Sequence, residues 1–248
     1  MGQLVNGIWT KGSVSNNQKD GSFKRVDSVF RNEINDNDKV YKPEKNRYHL
    51  YVSYACPWAH RTLIFRHLKK LENHISVDYV HPDMLENGWS FSNDFPKTTG
   101  DSLHSKSYIH EIYQLSDKKV SSKATVPILW DKKTSTIVNN ESAEIIRIMN
   151  SSFNKITKNY DDYYPLNLIT EIDKINKIIY ENINNGVYKS GFSKTQSAYE
   201  DAVKKLFSSL EMIDEILKGK KYLVGNQLTE ADIRLIPTLL RFDIVYHI

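Results

Sequence analysis

A chain of 248 residues that is 40% apolar can bury one large core or two modest ones, which excludes a disordered protein. Its 34 basic and 30 acidic residues leave a formal charge of +4, interspersed as in Asp131-Lys132-Lys133, so the composition asks for neither nucleic acid nor a membrane as partner. No run approaches the roughly 18 to 20 apolar residues that span a bilayer, and the polar start Met1-Gly2-Gln3-Leu4-Val5-Asn6 has no secretory apolar stretch, which points to a soluble protein of the cytoplasm, with the mitochondrion as alternative.

Residues 1–47 are polar with little periodicity and read as an extended N-terminal arm. Tyr48 to Ser53 has the half-alternating pattern of a strand, Trp58 to Leu71 repeats apolar residues at helical spacing, and Ile75 to Val80 is a second strand, which together make a βαβ unit. A polar connection carrying Gly88-Trp89 leads to a short helix near Tyr108 to Leu115. Val126 to Trp130 and Thr136 to Val138 flank Asp131 to Ser135 as a hairpin, and Glu141 to Asn150 forms a helix with Ile145, Ile146 and Met149 on one face. This order, β-α-β, helix, β-β-α, is a thioredoxin-like layout over residues 48–152. A linker at 153–165 precedes an all-helical region, 166–248, with helical patterns at Leu166 to Asn184, Thr195 to Leu217 and from Thr229 onward. Thr229 to Asp232 has capping-box spacing, with Leu228 and Ile233 as a staple, and starts a helix rather than doing chemistry. The fold class is α/β plus all-α.

Cys56 is the sole cysteine, so no internal disulfide forms, in keeping with a reducing compartment. It sits between a predicted strand and a predicted helix, and Pro57 follows at the favoured first helical position. Cys56 is then the N-cap, where backbone amides and the positive end of the helix dipole favour a thiolate. A lone cysteine without such a context is more often a small buried apolar side chain; the placement before Pro57 reverses that preference. With no second cysteine at C-x-x-C spacing, a dithiol mechanism is excluded and a partner thiol must come from solution. Val126-Pro127 enters a strand, and by default its bond is trans, since only about 5–6% of X–Pro bonds are cis. Glu141-Ser142 offers a carboxylate and a hydroxyl at a helix N-terminus, suited to the ends of a γ-glutamyl unit; equally, Ser142 serves as a helix cap, the commoner role. Among the eight histidines, His60 and His67 share a helix face without a third ligand, so no metal site is expected.

Six segments in order carry a resemblance: Tyr54-Ala55-Cys56-Pro57-Trp58-Ala59-His60-Arg61, Gly88-Trp89-Ser90-Phe91, Ala124-Thr125-Val126-Pro127-Ile128-Leu129-Trp130-Asp131, Asn140-Glu141-Ser142, Asn185-Gly186-Val187-Tyr188-Lys189 and Leu228-Thr229-Glu230-Ala231-Asp232-Ile233-Arg234. Together they resemble the glutathionyl-hydroquinone reductases, the Xi class of glutathione transferases, which is related to the omega class and includes yeast omega-like members. The resemblance implies a thioredoxin-like domain that holds glutathione as co-substrate and an all-helical glutathione transferase C-terminal domain that covers an aromatic hydroquinone conjugate, in a homodimer. It implies that Cys56 is the nucleophile and that Pro127 is cis, which leaves the backbone of Val126 to pair with the cysteinyl part of glutathione. It implies, too, that Trp89 packs over the peptide, that Ala124 and Thr125 belong to the same binding loop, and that Glu141 and Ser142 hold the γ-glutamyl end. Lys123 stands where many members have arginine, keeping a charge for a glutathione carboxylate but losing the bidentate fork. By the same resemblance, Tyr188 exchanges a proton with the hydroquinone oxygen and Tyr246 favours the thiolate.

Family members run on past the position of Ile248 with further helices. The resemblance therefore implies a C-terminally truncated helical domain in which the apolar face of Arg241 to Tyr246 lacks its cover. The activity expected is a thiol exchange in which Cys56 takes the glutathionyl sulfur from a glutathionyl-hydroquinone and free glutathione releases glutathione disulfide. The alternatives are an omega-like thioltransferase or dehydroascorbate reductase using the same cysteine, and an inactive truncated glutathione-binding protein.

Overall fold

In a computed structural model of the chain, residues 2–12 and 17–246 are described. The segment read as an extended arm begins with a hairpin, β1 (Gln3–Val5) and β2 (Ile8–Thr10), in which Val5 faces Ile8. The two residues between them, Asn6 and Gly7, have φ of 49° and 77°, the left-handed backbone that a type I′ turn requires and that Asn-Gly accepts at least cost. Leu4 exchanges backbone hydrogen bonds with Ser122, 2.8 and 3.1 Å, so the hairpin is tied to the loop that carries Lys123.

Five residues, Tyr48–Val52 (β3), are buried along their whole length, as befits a central strand. β3 runs parallel to β4 (Ile75–Tyr79), with Tyr48 opposite Ile75, and antiparallel to β5 (Ile128–Asp131), with Tyr48 opposite Asp131; β5 pairs in turn with β6 (Thr136–Asn139), giving the order β4-β3-β5-β6. A parallel neighbour requires a crossover, and α1 (Pro57–Leu68) supplies it. α2 (Ile109–Ser116) packs on β6, and α3 (Ser142–Ser151) on α1. The thioredoxin-like layout expected from the pattern is the observed one. Residues 30–32 run beside β6, with Asn32 N–H donating to Val138 O at 3.0 Å and Asn140 N–H to Phe30 O at 3.0 Å. They occupy an edge that would otherwise present unpaired backbone. The end of β5 is held by a buried bidentate pair, Arg47 Nε to Asp131 Oδ1 at 2.8 Å and Arg47 Nη2 to Asp131 Oδ2 at 2.6 Å. A short helix, α4 (Asn154–Thr157), ends on Lys158 at a φ of 55°.

The chain divides into two compact units, residues 1–14 with 28–161 and residues 15–27 with 162–248. In the second, a 3₁₀ turn (Leu166–Leu168) leads into α5 (Ile169–Ile178), which widens into a π-helical stretch, Ile179–Asn184, followed by α6 (Gly186–Gly191), α7 (Gln196–Leu217), α8 (Glu230–Leu239) and a π-type turn, Phe242–Tyr246. Its core joins Ile172, Ile179, Ile183, Leu206, Ile213 and Leu235, residues spaced so that each helix buries one face. The capping box expected at Thr229 forms: Thr229 N–H and Oγ1–H donate to Asp232 Oδ2 at 2.9 and 3.0 Å. Among the described residues no helix is long and apolar enough to cross a membrane.

Candidate active site

Cys56 lies at the end of the loop from β3 to α1. Its backbone is extended (φ −82°, ψ 117°), Pro57 opens the helix, and the Cys56 carbonyl accepts from His60 N–H at 3.0 Å, so it is the N-cap as the sequence predicts. Its side chain makes no capping hydrogen bond; instead the thiol points across to the next loop and donates to Val126 O at 3.5 Å. Only 8% of the residue is exposed, at the positive end of the α1 dipole. Upstream, Cys56 N–H donates to Ser53 O at 3.2 Å and Ala55 N–H to Ser53 Oγ at 3.2 Å, a tight turn that sets the direction of the sulfur.

The Val126-Pro127 bond is cis, as the family resemblance implies and against the trans default. Val126 is 4% exposed; before it, Ala124 is buried while Lys123 and Thr125 are half-buried. Glu141 and Ser142 are brought to the N-terminus of α3, but the cap is Glu141 rather than Ser142: Glu141 Oε1 accepts from Ala143 N–H at 3.1 Å, and Ser142 is the first helical residue, buried. The reason is position, since an oxygen one residue ahead of the first helical residue reaches the free amides. The second carboxylate oxygen of Glu141 accepts from Ser28 Oγ at 3.1 Å. Nothing in the arm's composition singled out Ser28. Trp89 is half-buried in the connection from β4 to α2, and its carbonyl accepts from Ile109 N–H at 2.9 Å.

Tyr188 and Tyr246 both belong to the helical unit and meet edge to face, with ring centroids 5.9 Å apart. The guanidinium of Arg25 stands over the Tyr188 ring at 4.7 Å and donates from Nε to Asn185 Oδ1 at 2.6 Å, a cation–π arrangement that no sequence pattern announced. Among the described residues no three His, Cys, Asp or Glu side chains cluster as metal ligands.

A thioredoxin-like unit that presents one cysteine at a helix N-cap against a cis-proline loop, followed by an all-helical unit, defines a protein of the glutathione transferase type. The chain matches the family models for the glutathione S-transferase N-terminal domain over residues 55–152 and for its C-terminal domain over residues 196–247. It is 51% identical over 253 residues to glutathionyl-hydroquinone reductase YqjG of Escherichia coli, covering 99% of this chain and 77% of that protein. The crystal structure of the glutathione S-transferase Xi from Phanerochaete chrysosporium superposes with a TM-score of 0.90 at 51% identity, over 93% of this chain and 75% of that one. The glutathione-bound structure of YqjG gives a TM-score of 0.88 at 49% identity, over 99% and 76%. The chain belongs to the Xi-class glutathione transferases, the family that includes the glutathionyl-hydroquinone reductases.

Proposed function

We propose that this protein is a glutathionyl-hydroquinone reductase, with glutathione as co-substrate and Cys56 as nucleophile. The observation that carries the reading is the Cys56 sulfur at the N-cap of α1, 3.5 Å from the carbonyl of Val126 beside cis-Pro127. As a thiol, Cys56 donates to that carbonyl; as a thiolate it has no proton to give, and the carbonyl is then open to the amide N–H of a peptide lying beside the sulfur. Nucleophile activation and peptide binding thus favour each other. Trp89, Lys123, Ala124, Thr125, Val126, Pro127, Glu141 and Ser142 form the glutathione site in this reading, with Glu141 taking the γ-glutamyl ammonium and Lys123 a carboxylate. The glutathione-binding part is residues 48–152, after the 1–47 arm, and the helical part is 166–248, after the 153–165 linker.

The Cys56 thiolate attacks the sulfur of the conjugate and forms a Cys56–glutathione disulfide. The carbon–sulfur bond breaks, its electron pair passes to the ring carbon, and that carbon gains a proton, with Tyr188 exchanging the proton at the hydroquinone oxygen and Tyr246 favouring the thiolate. Free glutathione then attacks the glutathionyl sulfur of the mixed disulfide and Cys56 leaves as thiolate, so that one free thiol and the thioether sulfur of the conjugate end as glutathione disulfide while the aromatic carbon is reduced. A homodimer in the cytoplasm, acting without nucleic acid, membrane or metal, completes the reading; the single cysteine suits a reducing compartment. Cys56→Ala is expected to abolish hydroquinone release while glutathione binding, read by calorimetry, is retained. Full turnover in that variant rejects the nucleophile.

A further inference from the structure

Between the two loops assigned to glutathione lies one hydroxyl that belongs to neither. Tyr113, on α2, is fully buried, and its hydroxyl accepts from Thr125 N–H at 3.2 Å and from Asn140 Nδ2–H at 2.8 Å while donating to Thr125 O at 3.1 Å. Thr125 Oγ1 also lies 3.3 Å from the same oxygen, so the phenol is surrounded by partners from these two residues alone. Burial pushes its pKa up, against the hydrogen bonds from Thr125 and Asn140.

The partners of this hydroxyl are informative by position. Thr125 immediately precedes Val126 and cis-Pro127, the side proposed to meet the cysteinyl residue of glutathione. Asn140 immediately precedes Glu141 and Ser142, the side proposed to meet the γ-glutamyl residue. Asn140 is itself held, with Oδ1 accepting from Phe30 N–H at 3.0 Å, and the Phe30 ring meets the Tyr113 ring edge to face at 5.7 Å. We infer that Tyr113 is a positioning residue for glutathione, whose hydroxyl sets the spacing between the cis-proline loop and the N-terminus of α3 so that one tripeptide fits both. The inference rests on the glutathione site proposed above. A peptide that must satisfy two rigid grips loses affinity when either drifts by a fraction of an ångström, whereas the Cys56 thiolate, which has no proton to give Val126 O, keeps the amides that open α1 in place.

The test measures binding of S-methylglutathione, which cannot undergo thiol exchange, by calorimetry, together with the rate of Cys56 alkylation by iodoacetamide at a pH where that rate has levelled off and the sulfur is fully thiolate. Tyr113→Phe is expected to weaken binding about tenfold and to leave the alkylation rate within about twofold of the parent. Asn140→Ala, which removes one donor to the same hydroxyl, weakens binding in the same direction and serves if Tyr113→Phe does not fold. Ile112→Ala, a buried neighbour on α2 with no contact to either loop's backbone through a polar group, lowers stability and leaves the affinity unchanged. Parental affinity in both Tyr113→Phe and Asn140→Ala, or an equal loss in Ile112→Ala, overturns the inference while the glutathione site stands. Absence of binding by the parent protein overturns the site itself and the inference with it.

Discussion

Glu141 has a structural partner on each carboxylate oxygen beside its proposed role toward the γ-glutamyl ammonium. Oε1 caps α3 through Ala143 N–H, and Oε2 accepts from Ser28 Oγ, which fixes the carboxylate plane before any ligand arrives. Glutamine at this position keeps an oxygen for the cap but removes the charge, and hydrogen bonds to a charged group are about twice as strong as neutral ones. Glu141→Gln is therefore expected to weaken glutathione binding about tenfold, about 1.4 kcal/mol, with little change in melting temperature. Calorimetry and a thermal melt on the same sample check both halves. Unchanged affinity would remove Glu141 from the binding site. Cys56 was legible at this scale because Pro57 and the preceding strand define its position; Tyr113, Ser28 and Arg25 were not, because each acts through a partner distant in sequence, and no local pattern encodes such a pairing.

At the scale of elements, the capping box of α8 is the most local device in the helical unit. Thr229 and Asp232 satisfy each other in a buried setting. Thr229→Ala is expected to cost about 1 kcal/mol, which lowers the melting temperature by roughly 2–4 °C for a chain of this size; no change in a thermal melt would contradict the assignment. The central strand, the crossover helix α1 and the β5–β6 hairpin were readable because apolar runs, turn residues and Pro57 agree locally and globally. The Asn6-Gly7 hairpin carried a strong turn signal that the surrounding polar composition obscured. Leu166 to Asn184 reads as one helix, yet the structure divides it into 3₁₀, α and π stretches, since apolar spacing does not distinguish i+4 from i+5 hydrogen bonding. Gly186 and Gly191 bound α6, and such poor helix formers hide a short helix that tertiary packing supports.

The response of the whole molecule to acid follows from its carboxylates. Burial would raise Asp131, but hydrogen bonds from Arg47, Lys133 N–H and Thr134 outweigh it and hold the acid below its ordinary 3.8. Hydrogen bonds from Arg31, against some burial, hold Glu144 below 4.5. Both bind protons less readily folded than unfolded, so their stabilisation is complete above the unfolded values and is lost as pH falls through the folded ones. Melting temperature is expected to be level down to about pH 5 and to drop below about pH 4, and Asp131→Asn should flatten the acid limb; an acid limb unchanged by that variant would contradict the attribution.

The proposed reaction passes through a covalent adduct in which the Cys56 sulfur carries the glutathionyl group. Intact-mass spectrometry of the protein mixed with a glutathionyl-hydroquinone, with no free glutathione present, tests it directly. A single glutathionyl adduct on Cys56 is expected, formed in step with the released hydroquinone and removed when glutathione is added. Hydroquinone released by protein whose Cys56 stays unmodified throughout would contradict it.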